Sequence, residues 1–230
     1  ELLDKFNPEV IYIHTSNKNI IEFPEFNDDK DKITSLLDIE IDRYKSIWSS
    51  LSKYNCPIIQ NNFEYPVNRS LGNLDSYDIH GRTYFINRLN EKFSQEAKLN
   101  NQLYISDINY LSSYVGLKNW FDKSLWYQAK YALSMSSIPE LTFNISKIIN
   151  SIFGVSKKCL VVDLDNTCWG GVIGDDGLKA ISIGLDNAIA ESYTSFQKYL
   201  KELNQRGVIL AVCSKNDLKN AKEGFMHPDS

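Results

Sequence analysis

Two aspartates separated by one residue, Asp163 and Asp165, directly follow an apolar run, Cys159-Leu160-Val161-Val162, and precede the hydroxyl of Thr167. A short β-rich run bounded by turn residues reads as a buried strand. The carboxylates therefore fall at its carboxyl end, where open α/β sheets gather their ligands. Side chains alternate along a strand, so the pair starts on one face. Two like charges held that close are costly unless a cation or a proton transfer uses them. The spacing suits Mg²⁺-dependent phosphoryl transfer, with one carboxylate as nucleophile and metal ligand and the other as acid/base. Gly170, Gly171, Gly174 and Gly177 make the next segment a turn-rich flap. An EF-hand calcium loop beginning at Asp163 would need glycine at its sixth position and glutamate at its twelfth. Cys168 and Gly174 stand there, and a strand precedes, so that reading fails.

The full string from Asp163 to Gly177, DLDNTCWGGVIGDDG, resembles the first motif of the haloacid dehalogenase (HAD) superfamily, an apolar strand followed by DxDxT. Its longer wording is similar to the FkbH-like branch of that superfamily. The resemblance implies that Asp163 is the nucleophile, forms an aspartyl-phosphate and ligates Mg²⁺. It gives Asp165 the acid/base role, with its backbone carbonyl on the metal. Leu164 and Asn166 then belong to the phosphate-binding loop, Asn166 and Thr167 shape that loop, and Trp169 packs. A second apolar run, GVILAVCSKND from Gly207 to Asp217, resembles the second HAD motif, whose terminal hydroxyl, here Ser214, binds a phosphoryl oxygen. Between Asp163 and Ser214 there is room for the flap and one helix (187–204), and none for an inserted cap domain. A site without that lid is open to bulky substrates.

The third-motif lysine and the fourth-motif acids of the superfamily are expected beyond Ser230. Lys215, Asp217 and Asp229 do not stand in for them. The sequence is therefore expected to be a piece truncated within the HAD domain and catalytically incomplete as it stands. FkbH-like proteins are associated with moving a glyceryl unit from an acyl phosphate to an acyl carrier protein. The resemblance thus implies a small acyl phosphate substrate, an acyl carrier protein partner, and a thiol that could hold the acyl group, Cys168 or Cys213. Strand alternation turns Cys213 away from the face of Ser214 and into the interior, while Cys168 lies nearer the open flap. The alternative is a non-catalytic module that docks a carrier protein or partner enzyme.

Upstream, strand-like and helix-like patterns alternate. Residues 10–14, 57–60 and 103–107 read as strands; residues 31–55 and 79–99 read as helices, and helical stretches continue to Phe153. This order predicts an α/β architecture. Residues 1–153 would form a flavodoxin-like three-layer domain, and residues 154–230 a partial Rossmann-like HAD domain. In the FkbH-like family the upstream part resembles an SGNH hydrolase. The serine-bearing block of that family would precede residue 1. The closing D-x-x-H-W lines up with Asp122-Lys123-Ser124-Leu125-Trp126, which puts Leu125 where the base should be. A leucine accepts no proton, so Ser-His-Asp esterase chemistry is not expected and the domain reads as degenerate. His14, Ser16, Asn17, Asn62 and Asp107 follow strand ends and either line a polar pocket or satisfy backbone groups. His80 and His227 are expected at the surface.

Hydrophobic residues make up 43% of the chain, aromatic residues 12%, and the net charge is −4. That balance excludes a disordered chain. Lys and Arg are dispersed, which argues against nucleic-acid binding. No stretch approaches the ~20 apolar residues of a membrane span. Cys56, Cys159, Cys168 and Cys213 form no CxxC pair, so neither a disulfide framework nor a zinc site is indicated. A cytoplasmic setting is expected.

Overall fold

A computed structural model describes residues 2–230. The chain is α/β and divides into two units, one ending at Gly154 and one beginning at Val155.

The first unit holds a parallel sheet in the order β1 (Ile11–Ile13), β2 (Ile58–Asn61), β3 (Leu103–Ser106). Ile11 pairs with Ile58, and Ile58 with Leu103. Helix α1 (Leu2–Phe6) precedes β1, α2 (Lys30–Leu51) links β1 to β2, and α3 (Arg82–Leu99) links β2 to β3. Helices α4 (Ile108–Val115), α5 (Leu117–Trp120), α6 (Lys123–Ala129) and α7 (Ile138–Ile152) follow. Parallel strands need such crossovers because a tight turn cannot return the chain to the same end of the sheet.

Helix α2 starts where the Asp29 carboxylate accepts a hydrogen bond from the Lys32 N–H at 2.8 Å, relieving one of the unpaired donors of the first turn. Ile33, Leu37, Ile41, Tyr44 and Trp48 recur at helical spacing and are buried. Leu37, Ile41, Tyr44 and Trp48 meet Phe85, Ile86, Leu89 and Phe93 of α3 and Ile58 of the sheet. The Phe93 ring lies 4.9 Å from Tyr44 and 5.0 Å from Trp48, both edge-on, the arrangement ring quadrupoles favour. The helix stops short of Asn55. Residues 52–54 tighten into a 3₁₀ turn and Asn55 turns left-handed at φ 51°.

Helix α3 begins three residues later than its apolar spacing predicts. At Gly81 the backbone passes so close to Asp75 that a Cβ would sit 2.2 Å from the Asp75 carbonyl oxygen. The Asp75 carboxylate accepts from the Thr83 N–H at 2.7 Å. Residues 79–81 are therefore held in a turn. Strand β2 is buried along its whole length, including Gln60 and Asn61. Gln60 Nε2 donates to Thr15 Oγ1 at 3.0 Å, and Asn61 Oδ1 accepts from the Thr15 N–H at 2.9 Å. These buried polar groups are satisfied, as burial requires, and they tie the segment leaving β1 to the carboxyl end of β2.

The second unit has two parallel strands, β4 (Cys159–Val162) and β5 (Ile209–Val212), with Cys159 opposite Ile209. Helices α8 (Ile173–Asp176) and α9 (Ala188–Gln205) lie between them, and α10 (Leu218–Gly224) follows. Leu164, Trp169, Ile173, Ile183 and Leu200 form the core, with Leu160, Val162 and Leu210 packed against it. The motif strand is less buried than its apolar run predicts. Alternation sends Leu160 and Val162 to the core and leaves Val161 59% exposed; on β5, Ile209 is 63% exposed. No helix among the described residues is long and apolar enough to cross a membrane.

Candidate functional site

Strand β4 ends by delivering Asp163 into solvent, and the chain turns at once. Leu164 anchors the turn. Its side chain is fully buried, and its carbonyl accepts from the N–H groups of Thr167 at 3.2 Å and Cys168 at 2.8 Å. Asn166 adopts a left-handed conformation at φ 54°, and its Oδ1 accepts from the Gly171 N–H at 3.0 Å. Asparagine tolerates that geometry better than most residues. The flap then folds back, with Gly170 and Ser182 exchanging backbone hydrogen bonds of 2.9 and 2.8 Å.

The two aspartates have different surroundings. Asp163 is exposed, and its Oδ1 accepts from the Leu164 N–H at 2.7 Å. The Asp165 carboxylate is held by three donors. Oδ1 accepts from Trp169 Nε1 at 3.0 Å and from the Ile173 N–H at 3.2 Å, and Oδ2 accepts from Asn216 Nδ2 at 2.8 Å. Asn216 Nδ2 also reaches Ser214 Oγ at 3.3 Å. One amide nitrogen thus joins Asp165, beyond the end of β4, to Ser214, beyond the end of β5. Trp169 does more than pack. Its buried ring carries the N–H that fixes Asp165, lies edge-on to Phe225 at 5.8 Å, and sits directly under Gly224, where a Cβ would come within 2.4 Å of it. The sequence reading missed Asn216 and the indole N–H. Asn216 was reachable in principle, because it stands two residues past Ser214 in the same strand-end loop.

The cysteines are placed the other way round from expectation. Cys168 is buried and its thiol donates to the Asp163 carbonyl at 3.2 Å. Burial first, and the Asp163 charge second, push its pKa above the usual thiol value. A thiol held protonated is a poor nucleophile. Cys213, expected inside, is exposed.

Metal-binding capacity rests on oxygen. Among the described residues no group of three or more His, Cys, Asp and Glu side chains is arranged to hold a metal ion. Mg²⁺ makes a smaller demand on protein side chains: one or two carboxylates, with water and phosphate oxygens completing its shell. The exposed Asp163 carboxylate and the neighbouring Asp165 backbone carbonyl, both hard oxygen donors on one loop, fit that demand.

In the first unit the polar residues after the strands divide between two clefts. Asn62 Nδ2 donates to Asp107 Oδ1 at 2.7 Å, and Asp107 also caps α4 through the Tyr110 N–H at 3.1 Å. Asn17 lies elsewhere, against Glu64. Ser16 caps a short 3₁₀ turn through the Lys18 N–H, and His14 Nδ1 pairs with the Tyr12 hydroxyl at 2.9 Å. Asp122 accepts from the Ser124 and Leu125 N–H groups, so that stretch is a helix cap and Leu125 leaves it without a base. His80 and His227 are half-buried rather than superficial. His80 bridges Asp78 Oδ1 at 2.8 Å and the Asp28 carbonyl at 3.0 Å. Nothing in the local pattern points to Glu64. Its carboxyl is 2% exposed, accepts from Asn17 Nδ2 at 2.8 Å, and is pushed by burial up to a pKa of about 8.

Residues 1–150 match the family described as FkbH, N-terminal domain. Among solved structures, the chain is similar to the N-terminal part of the protein BF1531 from Bacteroides fragilis, described as containing a phosphatase domain and complexed with Mg. The two are 30% identical with a TM-score of 0.84, and the match covers 99% of this chain and 60% of that one. The chain therefore spans about 60% of the length of that solved chain. Comparison with curated proteins gave no match.

Proposed function

This chain belongs to the FkbH family, matched through its N-terminal domain, and from that premise we propose that the loop after β4 serves Mg²⁺-dependent phosphoryl transfer through Asp163. The observation that carries the proposal is the asymmetry of the two aspartates on one strand-end loop: Asp163 exposed, Asp165 held by three N–H donors. The phosphatase domain and Mg of the similar Bacteroides fragilis protein support the same reading.

Asp163 attacks phosphorus through a carboxylate oxygen. The new O–P bond forms as the bond to the leaving-group oxygen breaks, and Asp165, which must enter this step protonated, delivers its proton to that oxygen. In the second step water attacks phosphorus, Asp165 takes the water proton, and the Asp163 carboxylate is restored. Splitting one hard displacement in two is what a carboxylate nucleophile contributes. To act on a leaving group, Asp165 must exchange one of its three present hydrogen bonds for it. The Asn216 bond is the natural one to exchange, because Asn216 also has Ser214 to turn to. Ser214 Oγ offers a hydrogen bond to a transferring oxygen, and the N–H groups of Leu164 and Asn166 lie on the same loop. Bound at Asp163 and the Asp165 carbonyl, Mg²⁺ would neutralise charge building on the phosphoryl oxygens.

The finer form of the proposal is that the phosphoryl donor is a small acyl phosphate and that the acyl group passes to an acyl carrier protein. Exposure favours Cys213 over Cys168 as an acyl-holding thiol. The intact protein tests the core of the reading. It should release phosphate from acetyl phosphate only with Mg²⁺, and Asp163→Asn should lower the rate at least ~10³-fold, as removal of a nucleophile does. Release that survives Asp163→Asn would sink the assignment.

A further inference from the structure

A second strand-end cleft is built from residues of the first unit. It encloses about 200 Å³ beyond the carboxyl ends of β1 and β2, which contribute Asn17 and Glu64 respectively. Open parallel sheets bind ligands at that end. One wall is aromatic, with Trp120, Phe121, Trp126 and Tyr127. The other polar contributors include three cations, Lys18, Arg82 and Lys123. Among the described residues none of the three enters an ion pair. Lys18 Nζ instead lies 5.5 Å from the Phe121 ring centre, and the Arg82 guanidinium 5.1 Å from that of Phe23.

Three positively charged side chains on the lining of one small cavity, none of them in an ion pair among the described residues, favour an anion there. The single acid on the lining, Glu64, is the most deeply buried polar group there. Its oxygens accept from both the Asn17 N–H, at 3.2 Å, and Asn17 Nδ2, at 2.8 Å. A deeply buried carboxyl favours its neutral form, in which it offers an O–H donor to an anion instead of a repelling charge. The small volume and the aromatic wall limit the remainder of the ligand to a short planar or apolar body.

We propose that this cleft binds a small organic phosphate, its dianionic head held among Lys18, Arg82 and Lys123 and its body against Trp126 and Tyr127. Three cations with a neutral acid suit a dianion better than a monoanionic carboxylate. The site shares no residue with the Asp163 loop and makes no demand on it.

Phenylphosphonate carries the right charge on an aromatic body and cannot be hydrolysed, so it serves as the probe, used in Mg²⁺-free buffer with the full chain. Indole N–H resonances report location, since Trp120 and Trp126 line the cleft and Trp48 and Trp169 do not. Saturable shifts are expected at Trp120 and Trp126 alone. The double variant Lys18→Gln/Lys123→Gln, at two exposed positions, should weaken binding at least about tenfold. Benzoate should bind more weakly than phenylphosphonate. Glu64→Gln should bind as wild type does at pH 7.5. Raising the pH to 9 ionises Glu64 and should weaken wild type several-fold more than Glu64→Gln. The other titratable groups on the cleft are Lys18, Arg82, Lys123, Tyr65 and Tyr127, and the comparison with Glu64→Gln isolates the contribution of Glu64 from theirs. Absence of saturation by about 10 mM, equal binding of the double variant, tighter binding of benzoate, or shifts centred on Trp169 would each overturn the proposal.

Discussion

Each unit ends a parallel strand in a carboxyl group, and the two chains of consequence run in opposite directions. After β2, Glu64 is enclosed, and burial raises its pKa to about 8. After β4, Asp163 stands in solvent, and Asp165 is braced by N–H donors from the flap and from the β5 loop. The strands themselves differ in the same sense. Every residue of β2 is buried, whereas β4 alternates between exposed and half-buried. Position at a strand end therefore sets where an acid stands but not what it does. Enclosure decides whether it is pushed toward its neutral form or stands open to solvent.

The largest expected departure concerns Glu64 and pH. Its folded-state pKa lies above the ordinary glutamate value, so between about 4.3 and about 8 the unfolded chain has lost a proton that the folded chain keeps. The stability of the first unit is then greatest below that window and falls as pH rises through it, by a few kcal/mol at most. Hydrogen exchange at the Ile58 and Ile59 amides should show wild type losing protection from pH 5 to pH 8 relative to Glu64→Gln. Parallel behaviour of the two proteins would mean that Glu64 ionises as freely as an open carboxylate, and the contrast between the units would vanish.

Next comes Asn216, which holds Asp165 and Ser214 together. Asn216→Ala should lower Mg²⁺-dependent phosphate release by the intact protein about 10–100-fold, the range seen when groups that orient metal-site residues are removed. Unchanged kinetics would show that the bond across the two strand-end loops is incidental. Gly224→Ala drives a methyl group into the Trp169 ring and should cost about 1–3 kcal/mol in urea unfolding followed on the second unit, the usual penalty of overpacking. A cost near zero would show that the ring moves freely, and with it the brace on Asp165. Trp169→Phe keeps an aromatic ring but removes the N–H and the fused five-membered ring. It should cost about 1–3 kcal/mol, from the lost hydrogen bond and the lost volume together, and leave the first unit's protection unaltered.

Much of this was legible in the sequence, for identifiable reasons. The β–α alternation and the strand-end position of Asp163 and Asp165 follow from apolar periodicity, a local property, and Asn166 shapes its turn as its residue type suggests. What could not be read depends on contacts between distant segments. Glu64 sits in a polar-looking stretch, QNNFEYP, and its burial partner Asn17 comes from a distant segment. Trp169 looked like packing because nothing local shows that its N–H meets Asp165. Helix α3 starts late because of Asp75, several residues upstream. Alternation from Ser214 predicted an inward Cys213, but it presumed a strand continuing past Val212, where β5 ends.

The central claim, that Asp163 is the residue phosphorylated, is tested most directly by trapping the adduct. The intact protein carrying Asp165→Asn is mixed with acetyl phosphate and Mg²⁺, quenched in acid, and examined by mass spectrometry of the whole chain and of its peptides. Acetyl phosphate needs little help in expelling its leaving group, whereas breakdown of the adduct needs the base, and such help is typically worth ~10²–10⁴-fold. The account predicts a phosphoryl group that accumulates on Asp163 and is lost when Asp163→Asn is added. A phosphoryl group on Ser214 or any other residue, or one that persists in the double variant, would contradict it.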